Sequence, residues 1–173
     1  MADNSTTPDK ARAAVCGLFC PSCTIYIATH EDPLRLKALA ERMGVPESEL
    51  ECDGCRSQRL NIFCRKRCKM KACASEKGIE FCGECAEYPC DELKEFQSQM
   101  PHRKELWKSL ERINEAGWET WYTEMEALYS CECGTINSAY DFKCRKCGAE
   151  PSCKYVGTYG GDVKKHLSGK LSL

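Results

Sequence analysis

No apolar run in this chain approaches the roughly 18 residues that a membrane-spanning helix requires, so no membrane span is expected. Charge of one sign is equally lacking: 25 Lys and Arg stand against 26 Asp and Glu, a net charge of −1. That balance argues against a general polyanion binder and leaves room only for local patches. Histidine is scarce, with 3 in all. No acid pair, phosphate-cradling loop or nucleophile–base arrangement stands out, so a claim of enzymatic activity would rest on a metal alone. The first residues, from Met1 to Lys10, are polar and have no apolar signal core, from which a cytoplasmic address is expected.

What the chain has instead is cysteine, 16 in 173 residues, several times the ordinary share. Four C-x2-C pairs (Cys20/Cys23, Cys52/Cys55, Cys82/Cys85, Cys144/Cys147) and one C-x-C pair (Cys131/Cys133) account for most of them. Disulfides need an oxidising compartment, for which there is no signal. Close pairs of this kind suit a shared metal ion, because two thiolates converge when the backbone turns between them. At this length neither half has room for a large apolar core, so bound metal is expected to take over much of its work.

The expected fold class is mainly α, with small irregular metal-stabilised modules. Residues 1–12 read as a flexible tail, 13–100 as a cysteine-rich domain binding several metals, 101–129 as a helical spacer, 130–153 as a zinc ribbon and 154–173 as a second tail. Asp32 caps a helix that opens at Pro33, buries Leu36, Leu39, Ala40 and Met43 on one face, and stops at Gly44. A short helical turn starts at Pro46. A helix over 64–77, ended by Gly78, would place Cys64 and Cys68 on one face. Asp91 reads as the cap of a helix containing Leu93 and Phe96. Two helices flank Gly117, and their Trp107, Trp118, Trp121 and Tyr122 are expected to pack against the metal modules.

In the last block Cys131 and Cys133 precede Cys144 and Cys147 by ten residues, with Gly134 and Gly148 directly after each pair. This is zinc-ribbon spacing, with a short hairpin expected between the pairs. Four sulfurs close the shell, so the site reads as structural zinc, with rubredoxin-type iron as the competing occupant. Cys153 is left over as a plain buried thiol.

The amino-terminal eleven (Cys16, Cys20, Cys23, Cys52, Cys55, Cys64, Cys68, Cys73, Cys82, Cys85 and Cys90) are too many for two four-ligand sites and one short of three. His30, Asp53 or Asp91 could complete the set, a sulfur could bridge two ions, or an iron–sulfur cluster could keep an open iron. The C-x3-C-x2-C spacing of Cys16, Cys20 and Cys23 matches radical S-adenosylmethionine enzymes, but those need a partial barrel that these short interrupted segments cannot build. Thiol exchange at a C-x2-C pair calls for a βαβ context that is equally missing. His102 and His166 read as solvated side chains.

The segments "CGLFCPSCTIYIAT", "CDGCRS", "CASEKGIEFCGECAEYPC" and "DELKEF" together resemble a cysteine-rich family of anaerobic bacteria and archaea, domain of unknown function 3795, over about residues 14–100. The resemblance implies that all eleven thiols from Cys16 to Cys90 match the family's ligand positions and that zinc binding, not an enzymatic activity, goes with them.

Between residues 54 and 75 there are no acids and seven bases: Arg56, Arg59, Arg65, Lys66, Arg67, Lys69 and Lys71. They either relieve the negative charge of metal–thiolate centres or offer a surface to a protein or nucleic-acid partner. The sequence as a whole reads as a cytoplasmic zinc-binding interaction or regulatory module with no deducible activity. The alternatives are an iron–sulfur protein of anaerobic metabolism and a nucleic-acid-binding zinc protein.

Overall fold

The computed structural model describes residues 7–170, which are mainly helical. The helices are α1 (Thr24–Glu31), α2 (Pro33–Met43), α3 (Glu47–Leu50), α4 (Ile62–Arg67), α5 (Lys69–Lys77), α6 (Asp91–Ser98), α7 (Leu106–Ala116), α8 (Trp118–Tyr129) and α9 (Lys154–Lys170). No strand forms among the described residues. Two isolated antiparallel bridges, Ala13 to Phe19 and Ser130 to Ile136, close small loops.

Helix α2 forms for the local reasons its sequence supplies. The Asp32 carboxylate accepts the Arg35 N–H at 3.0 Å, Pro33 enters at the first position, and Gly44 closes the helix at φ 66°. Leu36, Leu39 and Ala40 are buried, whereas Met43 is exposed. The segment 64–77 departs from expectation. It breaks at Cys68, whose extended backbone (φ −81°, ψ 101°) separates α4 from α5, so Cys64 and Cys68 do not share the face of one helix. At α6 the cap position is Cys90, and Asp91 lies inside the first turn, where its charge meets the helix dipole.

The 101–129 segment does more than connect. Leu106, Leu110 and Ile113 of α7 and Trp121, Tyr122, Met125 and Tyr129 of α8 belong to the main buried cluster, with Gly117 at φ 85° between the helices. Phe19 stands edge-on to Trp121 and Tyr122 and stacks on Tyr129 at 6.1 Å. Each such side chain contributes about 1.5–3 kcal/mol on burial. A second, smaller cluster holds Ala28, Leu36, Leu39, Ala40 and Leu50, with Ile25, Val45 and Phe63 against it.

Both stretches expected to be tails carry structure where they are described; residues 1–6 and 171–173 lie outside the described residues. Lys10–Arg12 form a 3₁₀ turn capped by Asp9, which accepts from Ala11 at 2.9 Å and Arg12 at 2.8 Å. Helix α9 forms despite its glycines because Tyr155, Val156 and Val163 are buried, and the Tyr155 ring stacks on Tyr129 at 4.6 Å. No helix of the described residues is long and apolar enough to cross a membrane.

Candidate metal centre

The Cys131, Cys133, Cys144 and Cys147 sulfurs all lie within 4.8 Å of one another, which no other group of three or more candidate ligands does among the described residues. Backbone turns gather them. The Cys131 N–H donates to Thr135 O and the Gly134 N–H returns to Cys131 O, both at 2.9 Å. In the second turn the Cys144 N–H donates to Ala149 O at 2.8 Å and the Gly148 N–H to Cys144 O at 3.0 Å. Gly134 and Gly148 adopt φ 81° and 76°, which suits glycine. The expected hairpin between the pairs is replaced by irregular backbone, and the single bridge closes the first turn instead.

The Cys131–Cys147 and Cys133–Cys144 sulfur distances are each 3.6 Å. That is far too long for a disulfide and close to the roughly 3.8 Å edge of a tetrahedron of sulfurs around zinc, given a Zn–S bond near 2.3 Å. The residues present therefore fit a tetrahedral metal ion. Electrostatics agree. Desolvation resists ionisation of Cys144, yet the N–H groups of Cys147 and Lys146, with the Asn137 amide, hold it down to about 6. The Thr135 hydroxyl and N–H hold Cys133 low as well. The Cys133 N–H favours an ionised Cys131, but desolvation and the neighbouring sulfurs push that thiol up to about 12. Four such sulfurs do not all carry charge without a cation among them.

Asn137 is a supporting residue that spacing did not reveal. Fully buried, it donates to Cys144 Sγ at 3.6 Å and Thr135 O at 2.9 Å, and its Oδ1 accepts the Arg145 N–H at 3.0 Å. The module is clamped to the first helices by Arg35–Asp141 at 2.8 Å and Arg145–Glu31 at 2.8 Å. Cys153 is buried in the main core, as expected of a plain thiol.

The eleven amino-terminal thiols are neighbours without closing to the same degree. Desolvation pushes Cys16 well up, with Cys55, Cys68 and Cys82 adding to it. It pushes Cys82 up to about 12, helped by Cys90, Cys73, Cys68 and Cys85. Partial desolvation, then Cys23 and Cys52, push Cys64 up to about 12. Asn61, buried at the start of α4, accepts the Phe63 and Cys64 N–H groups at 3.1 Å and donates to Cys64 Sγ at 3.4 Å. An Asn three residues before a cysteine was the signal for that role. Lys77 donates to Cys85 Sγ at 3.4 Å.

Of the non-sulfur candidates, His30 turns Nε2 to Cys52 O and Asp53, each at 3.2 Å, and Asp91 pairs with Lys94 at 3.2 Å. His102 is not solvated as expected: its Nδ1 lies 2.6 Å from the Tyr140 hydroxyl, and burial pulls its pKa down to about 4. Several bases of 56–71 are engaged within the chain. Arg56 reaches Ala13 O and Glu80 O, Arg59 pairs with Asp53 and Glu51, Arg65 with Glu49, and Lys69 with Glu92.

A mainly helical, cysteine-rich chain with one gathered four-sulfur group is the class these features define. Residues 12–95, just under half of the chain, match the family described as Protein of unknown function (DUF3795). No curated protein and no solved structure matches the chain.

Proposed function

We propose that Cys131, Cys133, Cys144 and Cys147 hold one structural zinc ion in a ribbon-like module, that the amino-terminal thiols bind further zinc, and that the protein is a metal-stabilised interaction or regulatory module. The observation that carries this reading is the pair of 3.6 Å sulfur separations in a set closed by four thiols. A closed four-sulfur shell leaves no position for substrate, so the metal's contribution is to folding. The basic segment 56–71 supports a dual use. Arg56, Arg59, Arg65 and Lys69 serve internal acids and carbonyls, while exposed Lys66 and half-buried Lys71 face an acidic partner, protein or nucleic acid. Neutralising those two lysines is expected to weaken such binding and flatten its salt dependence.

Purification without oxygen, followed by metal analysis and an absorption spectrum, tests the metal assignment. Colourless protein with about three or four zinc per chain is expected, from four sulfurs per ion. A coloured, iron-containing sample would overturn zinc in favour of an iron–sulfur or rubredoxin-type protein, since sulfur tetrahedra also accept iron.

A further inference from the structure

The four-sulfur shell closes around its ion without covering all of its own sulfurs. Cys131 and Cys144 are buried, at 8% and 4% exposure, whereas Cys133 and Cys147 are exposed. The two sulfur–sulfur contacts of 3.6 Å join Cys131 to Cys147 and Cys133 to Cys144. Each contact therefore couples one sulfur that a dissolved oxidant reaches with one that it does not, and no sulfur is used twice. Both contacts run between the turn at 131–134 and the turn at 144–148, not within either of them.

We infer that these four cysteines form a peroxide-responsive switch, in which oxidation exchanges the bound ion for two nested disulfides, Cys131–Cys147 and Cys133–Cys144. The inference rests on the reading above that the four thiols hold zinc, and adds a regulation to that site. Metal-bound thiolates stay unprotonated, and oxidation of cysteine follows thiolate character and exposure. The exposed Cys133 or Cys147 sulfur attacks one oxygen of hydrogen peroxide. The O–O bond breaks, the second oxygen leaves as hydroxide that a proton turns into water, and the cysteine becomes a sulfenic acid. The sulfur of its buried partner then attacks the oxidised sulfur, forming the S–S bond and expelling hydroxide, again protonated to water. Two peroxides and four protons thus take four thiolates to two disulfides and four waters, with the zinc ion released.

The backbone opposes the other pairing. A bridge between Cys131 and Cys133, or between Cys144 and Cys147, would have to close inside a turn already fixed by its own bond, from the Gly134 N–H to Cys131 O at 2.9 Å or from the Gly148 N–H to Cys144 O at 3.0 Å. Disulfide geometry tolerates little distortion, whereas the crosswise sulfurs need only draw together from 3.6 Å to a bond of about 2 Å. Asn137 bonds Thr135 O beside the first turn and the Arg145 N–H in the second, at 2.9 and 3.0 Å. Neither bond involves a sulfur, so the two turns stay opposed as the ion leaves.

The test treats the full, zinc-loaded chain with hydrogen peroxide and follows zinc release with 4-(2-pyridylazo)resorcinol. Remaining thiols are then blocked with N-ethylmaleimide at mildly acidic pH. Digestion after Glu, Lys and Arg puts the four cysteines on separate peptides, 127–132, 133–143, 144–145 and 147–154. Mass spectrometry should find 127–132 joined to 147–154 through Cys147, and 133–143 joined to 144–145. Cys147→Ser should keep only the second link and Cys133→Ser only the first, and wild type should release one zinc per chain more than the variant carrying both changes. Links within 131–133 or 144–147 would overturn the proposal. So would ribbon thiols that still take N-ethylmaleimide after the amino-terminal thiols have oxidised. The wild-type peptide map decides both points even where a variant fails to fold. Failure of the zinc reading shows separately, as Cys147→Ser retaining its full zinc content while the wild-type chain still forms the crosswise links.

Discussion

The turns at 13–19 and 130–136 share one backbone but differ in the sulfurs they carry. In each, residues six apart form an antiparallel bridge, the second N–H donates to the sixth carbonyl (Ala14 to Leu18, Cys131 to Thr135), and a glycine at φ 81° donates back to the second residue. Cys16 thus occupies the place of Cys133, but Ala14 stands where the later turn has Cys131. The later turn meets its second pair after ten residues and gathers four sulfurs. The earlier one draws its neighbours from Cys55, Cys68 and Cys82, far along the chain. A knuckle backbone alone does not make a closed site: Cys20 and Cys23 follow the first turn within a few residues, yet among the described residues it is the turn carrying two sulfurs of its own, Cys131 and Cys133, that gathers four.

The largest effect expected from this comparison follows Cys144→Ser. It should release one zinc per chain and lower the Tm by roughly 10 °C, because a module that loses its metal loses its folding energy. Calorimetry with parallel zinc analysis checks it, and Cys16→Ser should cost less if the dispersed sulfurs close less tightly. Next come the glycines. A Cβ at Gly17 would meet Leu110 Cγ at 2.9 Å in a left-handed backbone, whereas one at Gly148, at φ 76°, meets nothing within 4 Å. Gly17→Ala should therefore cost about 2–3 kcal/mol in urea unfolding and Gly148→Ala about 1 kcal/mol. Equal costs would break the claim that tertiary packing constrains the turn at 13–19 more tightly than the cysteine turn at 144–149.

A pH-dependent effect is expected at the contact between His102 and Tyr140. Burial lowers the folded His102 pKa to about 4 from an ordinary 6.5. The unfolded chain therefore takes up a proton first as pH falls. The stabilisation is full above pH 6.5, declines between about 6.5 and 4, and levels off below. Urea midpoints of His102→Gln measured against wild type over that window should show a flatter acid slope.

Local chemistry was legible where it was short-ranged. Asp32, Pro33 and Gly44 mark α2 at both ends, and the spacing of Cys131, Cys133, Cys144 and Cys147 marks the gathered sulfurs. The break at Cys68 was not legible, because the basic helix formers around it carry no stop signal. Helix α9 was hidden by Gly157, Gly160, Gly161 and Gly169, whose helix cost is offset by tertiary burial of Tyr155 and Val163. The depressed His102 arises from packing between distant segments, and the expectation of a poor apolar interior failed because the helices at 106–129 supply one.

Arg56 draws on the Ala13 carbonyl 43 residues upstream and the Glu80 carbonyl 24 residues downstream, with its guanidinium 4.8 Å from the Phe81 ring. This clasp cannot shut on a nascent chain until residue 81 has left the ribosome. Until then the turn at 13–19 lacks its Arg56 tie to residues 80 and 81, so the first turn and the segment after Gly78 become one unit only late in synthesis.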